Sequence, residues 1–419
     1  MQTIITFLLI FTVIVVFHEF GHFITAKRAG VLVREFSIGM GPKLLDKRIG
    51  ETVYTIRLLP VGGYVQLAGA EEDEIPFKKG QTIYLHQKGD LKVDEIRLEA
   101  PLENEEWTAI QLEECDLVDA CQIKGYLPSS EEMYTFDLSR TAVIYDEEGL
   151  GRQIAPRERH IQSQSVWRQL LVNFAGPLNN FILAILIFTM FAFMNHGVVS
   201  NEAVIGAFTK DSVAKEAGMK IGDRVLEVNG QKVDNWEELA KSIRSTQTDK
   251  VDVIIERKEV KKQLSLTAKE VTEAGRKVRL IGIIPAKDNR LISKLAFGFK
   301  QTMMIVVMLV HTLMGFFTKG FHLNEMGGPV AMYAMTDQVT KVGFVAVLNF
   351  MAFISANLGV MNLLPIPALD GGKILLNFYQ IVRGKPLEQK KQVYVTIIGA
   401  AFLLILMVLV TFNDIRRFF

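Results

Sequence analysis

Residues 1–26 read MQTIITFLLIFTVIVVFHEFGHFITA, an uncharged apolar run that meets a cluster of ionisable side chains. The run is long enough for a helix to cross a bilayer, which takes about 20 apolar residues. A signal peptide would need a basic start and small residues before a cleavage point, and neither is present. In His18-Glu19-Phe20-Gly21-His22 the histidines lie four positions apart. On a helix they therefore share one face and can bind one Zn²⁺, while Glu19 can activate water beside it. Ionisable groups are costly inside a membrane, so their clustering points to function. The bland alternative is a helix end whose His and Glu meet lipid headgroups.

The rest of the chain is consistent with a membrane protein. Of 419 residues, 49% are hydrophobic, and they fall in blocks, which suggests several spans with soluble modules between them. A formal net charge of +1 gives no global field for nucleic acid. Three further stretches, 170–194, 342–364 and 393–412, lack charged side chains and are long enough to span. Basic residues lie on both flanks of the first loop (Lys27, Arg28, Arg34, Lys43, Lys47 and Arg48; then Arg157, Arg159 and Arg168) and between the last two spans (Lys373, Arg383, Lys385, Lys390 and Lys391). The positive-inside rule makes these connections cytoplasmic and the N-terminus external. Arg416 and Arg417 at the outer C-terminus run against the rule. The shorter apolar stretch 302–317, which contains His311, should then lie at the interface or be buried in protein rather than cross.

A catalytic zinc takes three protein ligands and keeps one position open. Asp370 is the best third ligand. It lies in NLLPIPALDGG, residues 362–372, where two prolines break the helix and two glycines relax it. Irregular backbone at membrane depth is tolerated where it is buried or faces water, as a hydrolytic cleft requires. The alternative is an ordinary cytoplasmic turn. With 302–317 not crossing, His18, His22 and Asp370 all fall at the cytoplasmic end of their spans.

Other segments are less explicit. FSIGMGPKLL and LLPVGGYVQLAG suit a β-hairpin against the membrane surface. Residues 71–165 form an acidic insert with strand-like alternation, whose function is not legible. Cys115 and Cys121 lack metal-site spacing and read as ordinary thiols. The run from Gly218 to Gly230, GMKIGDRVLEVNG, resembles a PDZ domain of bacterial proteases, and such domains bind extended peptides by strand addition.

HEFGH in a first span, AGPLNNF at 175–181, the PDZ-like module and NLLPIPALDGG together resemble the site-2 protease family of intramembrane zinc metalloproteases, in its bacterial RseP/RasP/Eep-like group. The resemblance implies that His18, His22 and Asp370 hold one catalytic Zn²⁺ and that Glu19 is the general base. It implies that Asn362 holds the substrate backbone, that Gly62, Gly63, Tyr64 and Val65 guide substrate as an added strand, and that Asn180 lines the site. It also implies cleavage within or near transmembrane segments of membrane proteins, such as anti-sigma factors or remnant signal peptides, in the bacterial cytoplasmic membrane. A single PDZ-like module and the acidic insert depart from some relatives.

The expected architecture is a polytopic α-helical membrane protein with four transmembrane helices. Helix 1 with HEFGH covers 1–26, a membrane-associated β-hairpin 27–70, the cytoplasmic insert 71–165, and helix 2 170–194. An extracytoplasmic PDZ-like αβ domain covers 200–285, an interfacial or buried helix and connector 290–340, helix 3 342–372, and helix 4 393–412. Its partners would be membrane-protein substrates, a peptide or protein at the PDZ-like domain, and the bilayer, with no nucleic acid. Two rival functions remain: a metal transporter, since intramembrane His and Asp also mark ion paths, and a peptide-binding scaffold using the PDZ-like module alone.

Overall fold

A computed structural model describes residues 1–69, 77–87, 92–101, 107–145, 149, 151–246, 248–273, 276–320 and 327–418. The chain divides into two units, Met1–Ile185 with Thr302–Phe419, and Leu186–Gln301.

In the first unit, helix α1 (Gln2–Arg28) buries Ile10, Ile14, His18, Gly21, His22 and Ala26, a stripe at helical spacing. Lys27 and Arg28 in its last turn complement the helix dipole, and Gly30, with a φ of 86°, turns the chain out of the helix. Strands β1 (Val33–Ile49) and β2 (Thr52–Leu67) follow as a hairpin closed at Gly50 and Glu51. Its register sets residues 35–38 opposite both 53–56 and 63–66, so 63–66 forms an edge of the sheet. Arg57 ties these segments together. Its guanidinium donates to Glu35 Oε1 at 2.8 Å, Tyr64 Oη at 2.6 Å, Ser37 Oγ at 3.1 Å and the Gly41 carbonyl at 2.7 Å. Burial works against ionisation of Glu35, but bonds from Thr55, Arg57 and Tyr64 hold its carboxyl below the usual range; burial and the same carboxylate push Tyr64 up to about 12. Beyond this network the hairpin exposes Met40, Leu44, Leu45, Ile49, Leu58 and Leu59, an apolar tip that suits a membrane surface.

The insert forms a sheet of β3 (Thr82–Gln87), β4 (Val93–Arg97), β5 (Trp107–Asp116), β6 (Gln122–Tyr126), β7 (Met133–Tyr145) and β8 (Gly151–Gln153). The strand order is β4-β3-β5-β6-β7-β8, and β4 also pairs with β7, which closes the sheet into a small barrel. Alternate residues point inward, among them Ile83, Leu85, Val93, Ile96, Ile110 and Leu112.

Helix α2 (Val166–Met194) runs out of the first unit and into the second. There the chain forms β9 (Val198–Val199), β10 (Ile205–Phe208), α3 (Val213–Glu216), β11 (Arg224–Val228), β12 (Gln231–Lys232), α4 (Trp236–Arg244), β13 (Lys250–Arg257), β14 (Val260–Thr267), β15 (Lys269–Glu273), β16 (Arg276–Leu280), β17 (Ile283–Pro285) and β18 (Lys287–Asp288). Strands β11 and β12 are joined by Asn229 and Gly230, both at positive φ, the two-residue turn that matches strand twist. Helix α4 starts with a reciprocal cap: Asn235 Oδ1 accepts from Glu238 N, and Glu238 Oε2 accepts from Asp234 N. Ile205, Val225, Leu239, Val251, Val253 and Ile255 form the unit's own core.

The chain returns through α5 (Leu291–Lys319), α6 (Pro329–Val342), α7 (Phe344–Asn362), α8 (Asp370–Arg383) and α9 (Gln389–Phe418). Among the described residues five helices are long and apolar enough to cross a membrane, where four were expected from the sequence. The additional one is α5. It begins at Leu291, ahead of the expected stretch 302–317, because Ser293, Lys294 and Lys300 interrupt the apolar run without interrupting the helix. At the start of α1, Thr3 donates to Asp337 of α6 at 2.8 Å and Phe7 meets Tyr333 edge-on. Toward its end, His18 and His22 meet Asp370 just beyond α7, so α1 and α7 run in the same direction. Asp414 of α9 accepts from Gly328 N and Ala331 N and so caps α6 from another helix.

In the second unit Asp223 is almost fully enclosed, with both oxygens on the Arg257 guanidinium at 2.7 Å and a third bond from Lys220 N at 2.8 Å. Burial opposes its ionisation, yet Arg257 and Lys220 N hold the carboxyl below its ordinary value. Asp223→Ala is expected to destabilise the 200–288 domain by about 2–3 kcal/mol at neutral pH, measured by denaturant melts. A depressed carboxyl stabilises the fold above its unfolded pKa and loses that contribution on acidification. The gap between the two proteins should therefore close below about pH 4.

Candidate metal centre

Three donor atoms converge at the end of α1. His18 Nε2 lies 3.1 Å from Asp370 Oδ2, His22 Nε2 lies 3.2 Å from the same oxygen, and the two Nε2 atoms are 3.2 Å apart. All three residues are buried. A tetrahedral ion with bonds of about 2.0–2.1 Å separates its ligands by roughly 3.3 Å, so this triangle has the edge lengths of three corners of such a site.

The hydrogen bonds behind the imidazoles decide which atoms are bare. His22 Nδ1 sits 2.8 Å from the Val172 carbonyl, which can only accept, so the proton is on Nδ1 and Nε2 presents a lone pair. His18 Nδ1 lies 3.2 Å from the side-chain amide of Asn180. Asn180 Oδ1 is buried without a partner as oriented, and turning the amide over sets that oxygen on His18 Nδ1–H and leaves His18 Nε2 bare as well. Lone pairs directed at one point repel one another unless a cation lies between them. The donor set therefore fits a metal ion.

Local sequence explains how these groups reach one place. Between α7 and α8 the chain turns back through Pro365 and Pro367, with Ala368 at a φ of 84°. A side chain at Gly371 would strike the Leu363 and Leu364 carbonyls, and one at Gly372 would lie 2.5 Å from the Ile366 carbonyl. Only glycine at both positions lets Asp370 begin α8 against α1. On the opposite side, α2 crosses α1 with Gly21 against the Ala175 carbonyl, and Gly176 faces both imidazoles. Pro177 within α2 removes the N–H that would bond the Asn173 carbonyl and loosens the turn from which the Val172 carbonyl reaches His22.

Glu19 is half-buried, and its ionisable neighbours are His22, His18, Asp370 and Lys373. Asn362 is the last residue of α7, half-buried and one loop from Asp370. Gly62, Gly63, Tyr64 and Val65 lie in β2, beside α1 rather than at the three donors. Thr12 Oγ1 donates to the Pro60 carbonyl at 2.6 Å, and Gly63 packs near Val15. Asn180 is fully enclosed behind His18, and its backbone carbonyl accepts from Ser355 Oγ at 2.8 Å. Sequence reasoning gave Val172 no role, and met Gly176 only as part of the AGPLNNF motif. A signal for the helix was available, since three asparagines in one apolar span, Asn173, Asn179 and Asn180, are polar residues that a lipid-facing helix would not carry.

The profile of Peptidase family M50 matches residues 6–406. The chain belongs to this family. It is a membrane metalloprotease of the site-2 type. Similar curated proteins include the "Probable protease eep" of Enterococcus faecalis, 40% identical, with all of both chains covered. Another is the "Regulator of sigma-W protease RasP" of Bacillus subtilis, 39% identical over 100% of this chain and 99% of that one. Among solved structures, the PDZ domain of an SdrC-like protein from Listeria monocytogenes is 18% identical, covering 20% of this chain and 88% of that one, at a TM-score of 0.18.

A Cβ at position 176 would lie 2.8 Å from His18 Cε1 and closer still to His22 Nε2. Gly176→Ala should therefore displace the imidazoles from the metal position. The expected outcome is at least about a tenfold loss of bound metal by plasma mass spectrometry, with the helical circular dichroism retained.

Proposed function

We propose that His18, His22 and Asp370 hold a single catalytic Zn²⁺ and that Glu19 is the general base of an intramembrane protease. What supports the reading is the convergence of the three donor atoms, two from α1 and one from the start of α8 just beyond α7, with a glutamate beside the first histidine. The names of relatives, among them "Zinc metalloprotease RasP" of Bacillus licheniformis, support zinc as the metal. Zn²⁺ in a site of this kind acidifies water and polarises a carbonyl.

The chain's own residues do the rest. Glu19 takes the proton from the attacking water and delivers it to the leaving amide nitrogen as the peptide bond breaks. A substrate helix hides its carbonyls in i to i+4 bonds and must open before attack. The edge strand at 63–66, with Gly62, offers the opened segment a backbone partner, and Asn362 holds it near the metal. Asn180 serves the site through His18. Substrates are membrane proteins with a transmembrane segment, and the PDZ-like domain supplies a second contact for a peptide or protein.

In this reading the protein crosses the bacterial cytoplasmic membrane four times, with its N-terminus outside and its active site near the cytoplasmic leaflet. Since α1 and α7 share a direction and α2 brings the chain back, the segment between α2 and α7 must cross an even number of times. Were α5 to cross, residues 320–328 would be too few to return as a helix, which needs about 20, and α6 has only 14 and lies at the start of α1. So α5 lies at the interface or against protein.

Glu19→Gln should retain zinc while cleavage of a reporter membrane substrate falls by about 10²–10⁴-fold, and His22→Ala should lose both. A Glu19→Gln protein that cuts at the unmodified rate overturns the assignment. The topology has its own check. Alkaline phosphatase fused after residue 288 and after residue 320 should be active in both cases; an inactive fusion at 320 would make α5 a crossing.

A further inference from the structure

Helix α8 presents Asp370 to the metal, yet little else on it is enclosed. Its buried residues are Asp370, Gly371 and Gly372 in the first turn and Asn377 two turns on. Its apolar side chains Leu375, Phe378, Tyr379, Ile381 and Val382 are exposed, and Ile374 and Leu376 are half-buried, so apolar packing leaves much of its surface uncovered. Beyond the first turn its one fully buried side chain takes part in a bridge of amides. Asn377 Nδ2 donates to Gln169 Oε1 at 2.9 Å, and Asn377 Oδ1 accepts from Asn173 Nδ2 at 2.8 Å. Gln169 is itself fixed, donating to the Gln164 carbonyl at 2.9 Å and the Gln162 carbonyl at 3.3 Å.

Gln169 and Asn173 are one turn apart on α2, and the same stretch of α2 supplies the Val172 carbonyl to His22, Gly176 to both imidazoles and Asn180 to His18. One helix thus touches the supports of all three donors. We propose that Asn377 is a positioning residue for Asp370: clasped between Gln169 and Asn173, it sets the rotation and distance of α8 so that the carboxylate meets the two histidines. In apolar surroundings an unmade amide bond is costly, so the clasp holds one register of α8 against α2 rather than a range of them. The role rests on the reading that Asp370 is a zinc ligand.

The test uses the full chain in detergent or nanodiscs. Zinc affinity is measured by competition with a chelator, and kcat and KM are measured on a membrane substrate. Asn377→Leu, which removes both bonds at similar volume, should weaken zinc binding by about tenfold or more and lower kcat with KM little changed. Gln169→Met and Asn173→Leu each remove one arm and should give smaller losses of the same kind, which covers the case in which Asn377→Leu does not fold. Asp370→Ala is run beside them. If it loses zinc while the folded amide variants bind zinc and turn over as the unmodified protein does, the positioning role is overturned and the ligand reading stands. If Asp370→Ala keeps full zinc affinity, the ligand reading fails and the positioning role with it.

Discussion

The structure depends on holding a carboxylate and two imidazoles with their lone pairs toward one point inside an apolar body. Removing such groups from water costs several kcal/mol for each ion, and mutual attraction offsets this only when every remaining polar atom has a partner. Much of the chain around the site can be read as meeting that condition. His22 turns its other nitrogen to a main-chain carbonyl, His18 to an amide, and Asp370 has Lys373 Nζ 3.7 Å from its second oxygen. Helix α2 supplies most of these partners, which is why a helix of membrane length carries a proline and three asparagines.

The same requirement explains the glycines between helices. In lipid there is little hydrophobic gain in bringing helices together, and association rests on close packing of small residues. Gly21 admits the Ala175 carbonyl, Gly359 of α7 meets the ring of Phe181 on α2, and Gly399 of α9 meets the Pro367 carbonyl. Each contact immobilises a segment that bears on the site: α1 with the histidines, α7 leading to Asp370, and the Pro-rich turn itself.

Parts of this were legible in the sequence because their signals are local. The histidine pair is read from a spacing of four on one helix, and the broken turn before Asp370 from two prolines and two glycines. Joining them required a statement about direction, which charge asymmetry provides. The length of α5 was not legible, because Lys294 and Lys300 end an apolar run without ending a helix. The asparagines of α2 marked that helix as one that faces protein, but which of its atoms supports His22 was not legible, because the Val172 carbonyl has no side-chain signature. The edge at 63–66 entered through the family resemblance and not through the residues themselves: it follows from which strand segments pair across the hairpin, and alternation along one strand does not reveal that.

An exposed strand edge is a liability in a soluble protein, since its unpaired backbone groups invite other chains. In the proposed reaction the same feature has a use. A substrate helix that opens within lipid leaves amide groups unbonded, at several kcal/mol each, and the opening is tolerable only where another backbone can take them up. The edge at 63–66 runs beside α1, the helix that carries His18 and His22, and its apolar tip lets the hairpin rest in lipid while doing so. The Arg57 network has a place in the same proposed reaction. By joining Glu35, Ser37, Gly41 and Tyr64 it ties the edge segment to its neighbour, which in the proposed reaction would offer an incoming strand a fixed row of donors and acceptors. Recognition by backbone in this way depends little on side chains, which suits an enzyme whose substrates share a transmembrane helix more than a sequence.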